Sequence, residues 1–120
     1  MTYQEIKKAF ELCEDDISKL EMVMDIGKTL SEIPESAQCT EILGCTSFVK
    51  ICRHENKFYG YADSGMVKGI VAIILSMVEN KSIEEIKNMD LIGEFNSLHL
   101  NFGASRLNGI QSIVSFFKNL

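Results

Sequence analysis

Apolar residues recur every three or four positions in the first part of the chain, alternate in its middle, and return to the helical interval towards the end. Thr2 followed by Glu5 is a capping-box pattern, in which each side chain satisfies an amide that the helix start leaves open. Ile6 and Phe10 then put an apolar pair on one face of a short first helix. Asp15 or Asp16 can cap a second helix, whose Ile17, Leu20 and Met24 interleave with Val23, Ile26 and Leu30 to predict one broad buried face. Pro34 and small polar residues between Ser31 and Gln38 end this helical hairpin in a loop.

The period then changes to two. Thr40–Leu43 reads as a short strand, Gly44-Cys45 as a turn, and Thr46–Arg53 as a strand that sets Phe48, Lys50 and Cys52 against Val49, Ile51 and Arg53. Glu55-Asn56-Lys57 turns the chain into a further strand, Phe58–Ala62, with the aromatic residues that a pleated surface favours. Asp63 and Ser64 can cap the next helix, and Met66–Val78, apolar almost all round, predicts a central helix buried on most sides. Ser82 with Glu85 is a second capping box opening a short helix to about Asn88, and Leu91–Phe95 adds a further turn. A last helix begins near Ser105, with Leu107, Ile110, Val114 and Phe117 along its seam. Strands gathered in one block, with helices before and after, predict an α+β fold: a two-layer domain whose small, about three-stranded antiparallel sheet packs against helices.

Composition narrows the function classes. With 120 residues, and neither an internal repeat nor a linker-like stretch, the chain is expected to form one domain over residues 1–120. Hydrophobic residues at 46%, charged residues at 24% and a single proline exclude disorder as the main state. Twelve Lys+Arg against seventeen Asp+Glu leave a net charge of -5, the opposite of the basic footprint that phosphate neutralisation demands, so no nucleic acid is expected as a ligand. The longest apolar stretch, Gly69 to Val78, falls well short of the ~20 residues of a membrane helix, and Glu5, Lys7 and Lys8 stand where a signal sequence would be apolar. A cytoplasmic protein with no membrane partner is expected, and its four cysteines are accordingly expected to be reduced thiols.

The residue types that carry chemistry are few. His54 and His99, without a Gly-x-Ser-x-Gly elbow, give a hydrolase triad almost nothing to be built from, and the eight glycines are scattered singly, so no phosphate loop is present. Cys39, Cys45, Cys52 and His54 lie close enough to raise a zinc site, but gaps of five and six residues between the cysteines speak against the knuckle spacing such sites use. Cys52 and Cys13 read as small buried hydrophobes, the usual fate of free cysteine. Cys45 differs: it follows a glycine at a turn, where its sulfur can be presented to another protein. A nucleophilic thiol must ionise, and Lys50, Lys68 and Arg106 are internal sources of the positive charge that favours a thiolate. The alternative is a turn cysteine of no consequence.

Three blocks carry a family resemblance. Gly44-Cys45-Thr46-Ser47-Phe48-Val49 resembles the Gly-Cys-Gln-Ser-x-Val signature of SufE-like proteins. Ala62-Asp63-Ser64-Gly65-Met66-Val67-Lys68-Gly69-Ile70 is similar to that family's Asp-Ser-Asp-Ala-x-Ile-Val-Lys/Arg-Gly-Leu segment, and Ser105-Arg106-Leu107-Asn108-Gly109-Ile110 to its Ser-Arg-x-Asn-Gly-Leu. The blocks keep the family's order over nearly the whole chain. There are departures: Phe48-Val49-Lys50 stands where many members carry Gln-Val-Trp, Tyr61 replaces the first aspartate, and Asn101 replaces a histidine, with His99 two positions earlier.

The resemblance implies a sulfur acceptor and activator of a pyridoxal-phosphate-dependent, SufS/CsdA-like cysteine desulfurase. Cys45 would accept persulfide sulfur and pass it to an Fe-S scaffold complex, and the chain itself would be a carrier, without a cofactor or metal of its own. It implies an IscU-like fold and a cysteine-bearing loop that can fold inward. Gly44, Asp63 and Arg106 are carried over as residues flanking the site, with a helix cap and a surface cation as the competing readings of the last two. The interaction face is expected around the Gly44-Cys45 turn, Asp63 and the start of the last helix. Two alternatives stay open. An IscU/SufU-type Fe-S or zinc-binding scaffold would need Cys39 and Cys52 as ligands. A thiol redox regulator would pair Cys39 with Cys45.

Overall fold

The computed structural model describes the backbone of residues 1–120 and every side chain except those of Ala104 and Ser105, so the Ser105 of the third block lies outside the described residues. Among the described residues six helices and three strands follow in the order α1 (Tyr3–Glu11), α2 (Asp16–Gly27), β1 (Gln38–Glu41), β2 (Val49–His54), β3 (Lys57–Ala62), α3 (Gly65–Val78), α4 (Ile83–Asn88), α5 (Leu91–Asn96) and α6 (Ala104–Lys118). The strands form one antiparallel sheet in the order β1-β2-β3. This is the expected α+β arrangement.

Local chemistry sets most of the boundaries. Both capping boxes are formed: Thr2 Oγ1 accepts from the Glu5 amide and Ser82 Oγ from the Glu85 amide, while each glutamate accepts from its cap residue's own N–H. Asp15, not Asp16, caps α2, accepting from the Ser18 amide at 2.7 Å. The expected broad face of α2 is narrower than its pattern. Val23 and Ile26 are in the core, but Ile17 is 70% and Met24 46% exposed, because α2 meets the rest of the molecule chiefly along α3 and only one stripe is covered.

At that crossing the backbones touch. A Cβ on Gly69 would lie 2.0 Å from the Val23 carbonyl oxygen, and one on Gly27 would lie 2.7 Å from the Gly69 amide nitrogen. α3 is the central helix the sequence predicts: Val67, Ile70, Val71, Ile73, Ile74, Met77 and Val78 are all buried, between the sheet on one side and α1, α2, α5 and α6 elsewhere. On α6, Ile110, Val114 and Phe117 are buried as their spacing predicts. Leu107 is 47% exposed, and Ile113 joins the buried seam.

Strand register decides which cysteine goes where. β1 covers Gln38–Glu41 rather than Thr40–Leu43, with Cys39 opposite Cys52 and Cys52 opposite Tyr59. Val49 and Ile51 point with Gly60 and Ala62 towards α3, so Cys39, Cys52 and Tyr59 project from the other face. There Cys39 and Cys52 are joined by a disulfide, their Cα atoms 3.9 Å apart. This corrects the expectation of four reduced thiols: directly opposed residues on neighbouring strands bring the sulfurs together, a juxtaposition that spacing along one strand does not reveal. Cys13 and Cys45 carry free thiols. Among the described residues no helix is long and apolar enough to cross a membrane.

Candidate functional site

β1 and β2 are the arms of a hairpin, and residues 42–48 are its loop. Ile42 anchors the near end: it is buried, and its amide donates to the Val49 carbonyl at 2.8 Å. Beyond it Leu43 is 77% exposed, and Gly44 adopts φ 93°, in the left-handed region where glycine alone is unstrained. That residue also packs against α6, since a Cβ there would sit 2.5 Å from Ser112 Oγ. The positive φ is what requires a glycine in this turn, and the turn aims the next side chain, Cys45, at the helix.

Cys45 is half-buried in a small pocket walled by Val67 and Ile70 of α3 and by Arg106, Gly109, Ile110 and Ile113 of α6. Its Sγ donates to the Gly109 carbonyl at 3.7 Å. The sulfur packs directly on this turn of α6: a Cβ on Gly109 would stand 3.4 Å from it, in van der Waals contact. Burial pushes the Cys45 thiol above its ordinary pKa. Of the three cations considered, Arg106 lines the pocket. Lys68 lies over the Tyr61 ring, 5.3 Å from its centroid, and borders a separate groove together with Lys50 and Phe48.

The far end of the loop is fastened by Asp63. Its carboxylate accepts from the Phe48 amide at 3.1 Å, and its own amide donates to the Phe48 carbonyl at 3.2 Å. The sequence offered a helix cap here, but Ser64 occupies the N-cap position of α3, without a side-chain capping bond, and Asp63 is spent on the loop. Tyr61 and Phe48 pack beside this clamp with their rings tilted at 55° and centroids 6.3 Å apart. Gly44 and Cys45 thus lie on one loop, Asp63 fastens that loop's far end, and Arg106 lines the pocket that holds the Cys45 sulfur. Sequence alone does not mark Gly109 or Ser112 as site residues; the signal present is a glycine inside a helix, where its conformational freedom is unfavourable.

In this resting geometry burial disfavours the thiolate, the form that acts as nucleophile. Because the folded pKa is raised, the sheltered arrangement keeps its full stability below the ordinary thiol pKa and loses it as pH climbs through the raised value. Alkylation of Cys45 by iodoacetamide, followed against pH in the protein alone, is expected to show a midpoint above that of an unstructured cysteine peptide. A midpoint at or below the peptide's would contradict the sheltered geometry.

The two alternatives drawn from the cysteines meet the disulfide. A scaffold would need Cys39 and Cys52 as metal ligands, and a Cys39–Cys45 redox pair would need Cys39; here Cys39 and Cys52 are bonded to each other.

Comparison with known proteins agrees with the three sequence blocks. Residues 4–120 match the family model of SufE, described as the Fe-S metabolism associated domain. The chain is 35% identical over 121 residues to the cysteine desulfuration protein SufE of Wigglesworthia glossinidia brevipalpis, covering 92% of this chain and 83% of that protein. It is 30% identical over 109 residues to an uncharacterised SufE-like protein of Rhizobium meliloti (strain 1021), covering 81% and 78%. It is 27% identical over 122 residues to the sulfur acceptor protein CsdE of Escherichia coli (strain K12), covering 94% and 83%. With nearly its whole length matched, and the glycine-cysteine turn seated against its last helix, the chain belongs to the SufE family.

Proposed function

We propose that this chain is a sulfur acceptor working with a cysteine desulfurase, and that Cys45 is the residue that takes the sulfur. The observation that carries this reading is a free thiol on a hairpin loop, exposed at Leu43 and Gly44, fastened at its far end by Asp63 and sharing its pocket with Arg106. The relatives named for cysteine desulfuration and sulfur acceptance support the same chemistry.

The reaction is an exchange at sulfur. The Cys45 thiolate attacks the terminal sulfur of a persulfide on the desulfurase's own cysteine; that cysteine leaves as a thiolate, and Cys45 becomes the persulfide. A second attack by a downstream thiol, on an Fe-S scaffold complex, releases the sulfur and regenerates Cys45. The chain carries sulfur that its partner liberates and does not itself cleave cysteine. The partner is a SufS/CsdA-like enzyme dependent on pyridoxal phosphate.

Gly44 supplies the turn, Asp63 holds the loop's far end, and Arg106 offers positive charge beside the anionic persulfide. The exposed Leu43, Phe48 and Leu107 around the loop furnish the apolar part of a docking face. Because the resting thiol is half-buried and bonded to the Gly109 carbonyl, transfer requires the loop to leave α6 when the partner binds.

The reading is tested by incubating the protein with a cysteine desulfurase and 35S-cysteine, digesting without reductant and mapping the label. Label is expected on the peptide holding Cys45 and to be released by dithiothreitol. Label confined to the Cys13 peptide, or none on the protein while the desulfurase turns over, would overturn it.

A further inference from the structure

We propose that the Cys39–Cys52 disulfide is a site of reversible reduction by a dithiol, and that its state sets how readily Cys45 is reached. The bond joins residues 13 apart in sequence, and the segment it encloses is the hairpin end that bears Cys45. It is a covalent clip across the base of the acceptor loop.

The clip matters because β1 has little else to hold it. All of its residues, Gln38 to Glu41, are exposed, so no buried side chain of the strand ties it to the core. It is an edge strand, paired only with β2. Without the bond, its attachment consists of ladder hydrogen bonds open to solvent and the buried Ile42 that follows. With the bond, the loop's ends cannot separate, and the freedom of residues 42–48 is cut by ring closure.

Accessibility favours one direction of attack. Cys39 is exposed, whereas Cys52 is 0% exposed. A thiolate of the dithiol attacks Cys39 Sγ, the Sγ–Sγ bond breaks, and its electron pair departs on Cys52, which takes up a proton. The reductant's second thiolate then displaces Cys39 from the mixed disulfide. Two electrons pass in all: the protein gains two thiols and the reductant becomes its own disulfide. In the reduced form β1 loosens and the loop carrying Cys45 leaves its seat on Gly109 more often.

This inference rests on Cys45 as the acceptor, and its test reads access to Cys45 without sulfur transfer. The full chain is equilibrated with oxidised or reduced dithiothreitol, freed of it under nitrogen and pulsed with iodoacetamide. Alkylation of each cysteine is followed by peptide mass spectrometry, with circular dichroism checking the fold. Reduction is expected to raise the Cys45 rate about tenfold and to leave the Cys13 rate unchanged. Reoxidation restores the slow rate, and Cys39→Ala, an exposed position, shows the fast rate without reductant.

Cys45 rates agreeing within about twofold in the two states would overturn the proposal. So would an equal rise at Cys13, which reports general loosening, or an intact mass with every cysteine free after treatment with oxidised glutathione. A redox-dependent Cys45 rate together with sulfur arriving on another residue would refute the acceptor role and leave the clip standing.

Discussion

Replacing Cys45 by serine is expected to abolish sulfur acceptance and to leave the fold as it was. The serine hydroxyl does not ionise near neutral pH and forms no persulfide, so 35S on the protein and its stimulation of the desulfurase both fall to the level seen without it. Stability is a separate matter. The Cys45 sulfur is half-buried and makes one weak hydrogen bond, to the Gly109 carbonyl at 3.7 Å, which serine can approximate. The melting temperature is therefore expected to stay within about 2 °C of wild type. Cys13→Ser serves as the control and keeps full transfer, because Cys13 sits at the end of α1 with its thiol on the Ala9 carbonyl. Normal labelling of the Cys45→Ser protein, or a large fall in its melting temperature, would contradict the assignment.

The second large effect falls on stability. Gly69→Ala puts a methyl group 2.0 Å from the Val23 carbonyl oxygen and 2.5 Å from Val23 Cγ1. The obstacle is backbone, which cannot rotate aside, so α2 must move off α3 and uncover Val23 and Ile26. We expect a loss of about 3 kcal/mol or more, lowering the melting temperature by on the order of 10 °C. Gly65→Ala is the informative comparison. It lies in the first turn of the same helix, where a Cβ meets only the flexible Met24 methyl at 3.3 Å, and removing glycine's excess freedom there leaves stability unchanged or raises it by up to about 1 kcal/mol. Equal effects of the two substitutions in urea unfolding would show that helix propensity, and not the α2–α3 contact, governs this helix.

Features written in contiguous residues were legible in the sequence. Thr2 with Glu5 and Ser82 with Glu85 close the boxes their spacing announces, the apolar run after Ser64 is the buried helix, and the glycine before Cys45 marks a turn with positive φ. Features that depend on what lies across space were not. Ile17 and Leu107 keep helical spacing yet point outward, because periodicity identifies a face without saying how much of it a neighbour covers. Asp63 was legible as a short polar residue ahead of a helix, but whether its carboxylate caps that helix or clamps a loop depends on where Phe48 returns. The Cys39–Cys52 bond follows from register: a shift of β1 by one residue would have turned Cys39 to the opposite face. The composition argument for reduced thiols could not foresee that pairing.

The reciprocal bonds between Asp63 and Phe48 also limit how far the Cys45 side chain can travel. If that rear fastening holds while the front of the loop swings out, three residues of extended chain separate the pivot from Cys45, an arc with a radius of about 10 Å. Such a short tether cannot ferry sulfur between distant enzymes. In the proposed role, sulfur donor and recipient would therefore each have to dock against this loop in turn, and the distance between them would be covered by diffusion of the whole protein.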